Sequence, residues 1–301
     1  MKVTKQGQLT GHRSGIYTLQ ERPTKQTFIS GAGDGWVAEW PLAGTTDGNL
    51  LARIETQIFS MLLLENEQVV VLGNMEGGVH WVDLEHPEDT LNIAHHQGGV
   101  FGVEQLNSFI WTLGGDGLLT RWDLKDRKSL DSQQISSLAL RCMAYCESRN
   151  EIAIGASDHA IYFLDAQTLR VRSVLAGAHA NSVFTLLYSP DGQYLYSGGR
   201  DAHLKMWALE EDRRLIKAVP AHWYTLNHLV FIPELDCLVS GSRDKTLKIW
   251  NPADLSLLKV LEPGRDGGHV NSVNRLLWLA DAGLLVSASD DRSLILWEVS
   301  R

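Results

Sequence analysis

A chain of 301 residues with 44% apolar and 21% charged side chains carries enough apolar material for a large core and lacks the bias that marks disorder. A formal charge of -9 argues against function by general attraction to phosphate backbones or anionic lipid, and so against nucleic acid or membrane as partners. The opening MKVTKQGQLTGHRSG holds no apolar run that could serve as a signal-peptide core, and no later segment is long enough to cross a bilayer, so a cytoplasmic location is expected. Cys142, Cys146 and Cys237 are odd in number and no Asn-x-Ser/Thr sequon occurs, so neither a disulfide framework nor glycosylation is expected. Cys142 and Cys146 lie four apart on a predicted strand, sharing a face but too distant to bridge, and read as buried thiols.

Residues 1 to 10 have strand-like content in Val3, Thr4, Gln8 and Leu9, and a recurring pattern follows them. Seven segments align: SGAGDGWVAEW, LGNMEGGVHWV, TLGGDGLLTRW, IGASDHAIYFL, SGGRDAHLKMW, SGSRDKTLKIW and SASDDRSLILW. They end at Trp40, Val82, Trp122, Leu164, Trp207, Trp250 and Trp297, and an acidic residue stands six positions before each end: Asp34, Glu76, Asp116, Asp158, Asp201, Asp244 and Asp291. A short apolar run precedes each acid and an alternating run follows it, which reads as strand, tight turn, strand. Upstream lies another apolar strand such as SVFTLLYS, often closed by a turn like Pro190, Asp191 and Gly192. The polar stretch after each terminal residue supplies a fourth strand. The one clear insertion is PGRDGG before the last repeat, and no linker divides the chain, so residues 1–301 are expected to form one domain.

These segments resemble the WD-repeat β-propeller family over essentially the whole chain, since a period near 40 residues with a Trp-terminated strand marks a propeller blade. The resemblance implies an all-β, seven-bladed propeller of four-stranded antiparallel blades. Because the chain stops at Arg301, soon after Trp297, the last blade lacks an outer strand, and residues 1 to 10 are expected to supply it and close the ring. In this family a His, a Ser or Thr, the turn Asp and the terminal Trp form a buried hydrogen-bonded tetrad. The matching sets here are His12, Ser30, Asp34 and Trp40; His96, Thr112, Asp116 and Trp122; and His179, Ser197, Asp201 and Trp207. Blades six and seven supply His222, Ser240, Asp244 and Trp250, then His269, Ser287, Asp291 and Trp297. In blades two and four Val82 and Leu164 replace Trp, Leu72 and Ile154 replace Ser, and no His stands at the expected start. Losing the set together avoids a stranded buried polar group, which costs roughly 1 to 3 kcal/mol, so both blades are expected to pack apolar. Glu76 and Asp158 are expected to stay as acceptors for backbone N–H groups in their turns.

A Ser, His and Asp that recur five times are architecture, not a hydrolase triad, which needs one exposed nucleophile and an oxyanion hole. No His-Glu-x-x-His or Cys-x-x-Cys motif occurs, and His95 beside His96 reads as a solvated loop residue. The Gly pairs at 114 to 115 and 198 to 199 lack the following helix of a phosphate loop, and no S-x-D-x-G-x-T-W Asp box is present. No catalytic residue, metal or cofactor is expected.

Function is expected on loops held by the stiff ring. Family resemblance implies that partners bind at the face carrying the turn acids, where Gly33, Met75, Gly115, Ser157, Arg200, Arg243 and Asp290 stand just before them. Arg200 and Arg243, with Arg275 on the next inner strand, read as a local basic arc, with Asp290 as a possible ion-pair partner; Tyr17, Phe101 and Phe184 near inner-strand starts and Trp223 in a loop add aromatic anchors. The leading expectation is a non-catalytic scaffold, a monomeric propeller alone or in a larger complex, that binds an acidic or aromatic-containing peptide segment of a protein partner. The alternatives are an enzyme or small-ligand binder using the central channel, which a deep pocket of titratable groups would favour, and a nucleic-acid-associated scaffold.

Overall fold

A computed structural model of the chain describes residues 1–42, 47–64, 68–210 and 212–301. Its strands form seven four-stranded antiparallel sheets. Blade one runs Ile16–Arg22, Thr27–Ala32, Trp36–Pro41 and Asn49–Arg53 from the centre outward, and the later blades repeat that order. Each inner strand touches the inner strand of the next blade, and the seventh touches the first, so the sheets close into a β-propeller.

The turn between the second and third strands is alike in every blade because the residue after the turn acid has a positive φ, from 62° at Ala202 to 89° at Gly77. Gly35, Gly77 and Gly117 adopt it without strain; at Gly35 an added Cβ would also lie 2.2 Å from the Ile54 carbonyl oxygen. His159, Ala202, Lys245 and Arg292 take the same conformation at some cost.

The ring closes where Lys2–Thr10 pairs antiparallel with Ser293–Ser300, Lys2 opposite Ser300 and Thr10 opposite Ser293. This strand is the outer edge of blade seven, and Leu9 drops into a cluster with Trp40, Phe28, Val286 and Leu294. Lys5 Nζ also donates to the carbonyl of Gly267, at the inserted Gly-rich segment, which forms the short helix Pro263–Asp266. The core is divided among the seams: seven apolar clusters each join one blade to its neighbour, as Trp111, Leu113 and Leu119 of blade three meet Ile152, Ile154 and Leu164 of blade four.

Five blades carry a complete polar chain. The His Nε2 lies 2.7–2.8 Å from the Ser or Thr hydroxyl in each, and the Trp indole N–H donates to the same oxygen at 2.8–2.9 Å. The His Nδ1 faces the turn carboxylate, at 2.9 Å in His222 and Asp244. One direction of donation satisfies every atom: Trp N–H to Ser, Ser O–H to His Nε2, and His Nδ1–H to Asp. Burial alone would raise the Asp201 and Asp244 carboxyls, but hydrogen bonds and charge from His179 and His222, with backbone N–H donors, outweigh it and hold both well below the usual range.

Blades two and four depart from the expectation of apolar packing. Leu72, Val82, Ile154 and Leu164 are buried and apolar. The turns, however, keep polar networks of a different make. In blade two Glu76 is not the acceptor; Asn74 Oδ1 takes the backbone N–H of Glu76 at 3.0 Å and of Gly78 at 2.7 Å. Its amide donates to His80 Nε2 at 2.9 Å, and His80 Nδ1 meets Asn92 Oδ1 at 2.6 Å. With the partner His gone, a neutral amide that both donates and accepts spares the buried turn an uncompensated carboxylate. In blade four Asp158 accepts the N–H of Ala160 and the hydroxyls of Ser136 and Tyr162. Ser136 stands 22 residues before Asp158, the spacing of His12 to Asp34, so a serine occupies the histidine's place.

Candidate interaction face at the channel mouth

Every inner strand slips register once near its start, between Ile16 and Thr18 in blade one and at matching points in the others. The residues at the slip are Tyr17, Phe59, Phe101, Arg141, Phe184, Asn227 and Asn274. A bulge interrupts alternation and re-aims one side chain. Five of these seven form a continuous collar: the Tyr17 and Phe59 ring centroids are 5.0 Å apart and those of Phe59 and Phe101 are 5.7 Å apart. The Arg141 guanidinium follows, 4.1 Å from the Phe101 centroid and 5.5 Å from that of Phe184. Its Nε donates to Ser157 Oγ at 2.8 Å.

The other two positions are used internally. Asn227 donates to Ser272 Oγ and the Val273 carbonyl, and Asn274 to the Ile16 carbonyl and, at 2.7 Å, to Asp290 Oδ1. Asp290 therefore faces Asn274 and Tyr17, whose phenol is raised by burial and then by this carboxylate, and forms no ion pair with Arg200 or Arg243.

Arg275 does not belong to a basic arc with Arg200 and Arg243. Alternation after the bulge turns it one level down into the channel, among Thr18, Ser60, Gly102, Cys142, Thr185 and His228, where it faces the charge of Glu104. The cavity at this level is about 80 Å³, well short of the roughly 300–1,000 Å³ of ligand pockets. Burial pushes the Cys142 thiol up to about 12, the wrong direction for a nucleophile. Burial and then Arg275 hold the His228 imidazole neutral, and its Nδ1 accepts the Leu276 N–H at 3.3 Å. Among the described residues no three His, Cys, Asp or Glu side chains converge to hold a metal. Nor is His95 a solvated loop residue: it is half-buried, with Nε2 3.0 Å from Thr120 Oγ1 and its ring edge-on to Trp122.

The rim of this face is apolar and basic. Because each tetrad histidine turns inward, the next residue turns out while its N–H donates to the turn Asp, as Trp223 does to Asp244 at 3.0 Å. Trp223 is 87% exposed, its neighbour Tyr224 62%, and Val270, after His269, 65%. Arg200 and Arg243 are exposed at the same turn position of adjacent blades. Phe59, Arg141, Tyr224 and Val270 escaped the sequence reading. Aligning the chain on the residue after each inner-strand start would have put Phe59 and Arg141 in one column with Tyr17, Phe101 and Phe184.

A closed ring of seven four-stranded blades around a channel whose cavity is about 80 Å³ is a β-propeller. Residues 3–40, 170–208, 213–251 and 257–298 match the model of the WD domain, G-beta repeat, together more than half of the chain, and the chain belongs to this family. It is 28% identical over 138 residues to human WD repeat-containing protein 36, covering 45% of this chain and 14% of that protein. The groucho protein of Drosophila melanogaster is 22% identical over 201 residues, 64% of this chain and 26% of its own. The COMPASS component SWD1 of Saccharomyces cerevisiae is 27% identical over 85 residues, 27% of this chain and 20% of its own. The matches thus span between 14% and 26% of these relatives' lengths. The WD40 propeller domain of Doa1 shares the fold at a TM-score of 0.85 and 16% identity, covering all of this chain and 98% of that one.

Proposed function

We propose that this propeller is a non-catalytic interaction module that binds a segment of a protein partner across the face of the channel mouth. The observation that carries the reading is the exposed Trp223, Tyr224 and Val270 on the same rigid face as Arg200 and Arg243. Aromatic and arginine side chains are the usual anchors of protein interfaces, and loops on a stiff scaffold lose little freedom when they bind. The relative SWD1 is a component of COMPASS, which accords with a role in assemblies. The channel reading has less support, because a cavity of about 80 Å³ leaves no room for a substrate of ordinary size.

Affinity capture followed by mass spectrometry tests this, with wild type beside a Trp223→Ala, Tyr224→Ala double variant. The expected result is loss of one or more captured proteins at unchanged thermal stability. An identical captured set from a folded variant would remove this face as the binding surface.

A further inference from the structure

We infer that Arg141 and Arg200 form an anion subsite in the channel mouth, which takes the side-chain carboxylate of an acidic residue in the bound segment, with an apolar neighbour on the aromatic collar. This rests on the reading of the face as the partner-binding surface, and it adds the chemistry that the partner must bring.

Arg141 is held, yet under-used. Stacking against Phe101 and Phe184 and the bond from Nε to Ser157 Oγ fix the plane of the guanidinium. A guanidinium has five N–H donors, and this one spends a single donor on the protein. Among the described residues no carboxylate lies within ion-pair distance of Arg141 or Arg200. Of the acids on this face, Asp158 is committed to Ser136 and Tyr162, Asp201 to His179, Asp244 to His222, and Asp290 to Asn274.

The two arginines also converge on one inner-strand start: the Arg200 backbone N–H donates to the Ser182 carbonyl at 2.9 Å, two residues before Phe184, against whose ring Arg141 stacks. Burial first, and then the like charge of Arg200, press the Arg141 guanidinium below its ordinary value. A partly desolvated cation with a like-charged neighbour and no counterion is in a poor electrostatic state, and a bound anion improves it. Stacking leaves the edge of the fork free, and that edge matches a planar carboxylate in bidentate geometry. With a net charge of -9 the chain as a whole disfavours an acidic segment, so its capture calls for a local cationic site such as this one. Tyr17 and Phe59, continuing the collar beyond Phe101, offer an apolar side chain a surface beside the anchored carboxylate.

The test uses fluorescence anisotropy of the full chain with a labelled twelve-residue peptide carrying two central glutamates flanked by leucine and phenylalanine. Its glutamine and phosphoserine counterparts serve as the comparison probes. The glutamate peptide is expected to bind about tenfold tighter than the glutamine peptide, and to weaken as salt rises from roughly 50 to 300 mM. Arg141→Gln and Arg200→Gln are each expected to lose about tenfold, and Lys217→Gln, on the exposed outer strand Leu215–Pro220 away from the mouth, less than twofold. Equal affinity for the glutamate and glutamine peptides overturns the subsite, as does wild-type binding by Arg200→Gln, whose exposed side chain leaves folding untouched. Binding confined to the phosphoserine peptide overturns the choice of a carboxylate. Should the Trp223→Ala, Tyr224→Ala variant lose captured proteins while Arg141→Gln and Arg200→Gln bind the peptide like wild type, the face stands and the anion subsite falls.

Discussion

Ser240 is the node of its blade: its hydroxyl accepts the Trp250 indole N–H at 2.8 Å and meets His222 Nε2 at 2.7 Å, with no exposure to water. Ser240→Ala strands two buried polar atoms at once, and His222→Ala leaves Asp244 without its ring donor. Each is expected to lower stability by about 2 kcal/mol or more, read as a fall in the urea midpoint; an unchanged midpoint for both would mean that the network is ornamental. The same residues set a pH dependence. Burial, only partly offset by the facing carboxylates, keeps His96, His179 and His222 below the usual histidine value, so the unfolded chain binds more protons once pH falls through about 6.5. The turn carboxylates Asp34, Asp116, Asp201, Asp244 and Asp291 are held low, so their contribution is full above about pH 4 and is lost on further acidification. The urea midpoint is therefore expected to be level above about pH 7.5 and to fall in two stages, below about 6.5 and again below about 4. A midpoint that rises between pH 7 and 5.5 contradicts the neutral histidines.

Among the described residues, the strand Lys2–Thr10 is the one whose sheet partner, Ser293–Ser300, is remote in sequence. It gives blade seven its outer edge and, through Leu9, fills part of the seam between blades seven and one. Removing residues 1 to 10 exposes both, and a loss of about 3 kcal/mol is expected, a fall in Tm of roughly 6–10 °C. An unchanged Tm would show that the ring holds without this closure. Blades two and four illustrate a different point at the same scale. Each keeps its seam by apolar substitution at Leu72, Val82, Ile154 and Leu164, and each keeps its turn by a local polar substitute, Asn74 with His80 or Ser136 with Asp158. What the fold demands of a blade is a satisfied turn and a filled seam, and the tetrad is one way of meeting both.

Across the whole molecule, stability is shared among seven seams, so each blade depends on its neighbours and on closure. The closed ring also brings together residues that no local pattern associates. Phe101, Arg141 and Phe184 come from three consecutive blades, yet they stack on one another at the mouth. Arg275 and Glu104, from blades seven and three, face each other inside the channel. The proposed capture and peptide-binding measurements test the exposed surface that the closed ring assembles.

Much of the fold was legible because it rests on short spacings within a blade: the turn acid six residues before Trp40 or Trp250, and the apolar runs on either side. These are local relations, fixed by strand alternation and by hydrogen bonds that one blade makes to itself. The candidate site was legible only in part. Tyr17, Phe101, Phe184 and Trp223 were readable as aromatic residues at recurring positions, but Arg141 and Phe59 were not, and Arg275 was placed on the wrong level. The reason is physical. A bulge overturns the alternation from which side-chain direction is read, and whether an arginine finds a carboxylate depends on what the adjoining blades present. By itself the sequence determined the number of blades, the polar sets of five of them and the strand that closes the ring. Only the tertiary structure decided which side chains face the mouth, which face the channel, and which charges were left without a partner, because those depend on neighbours contributed around the closed ring.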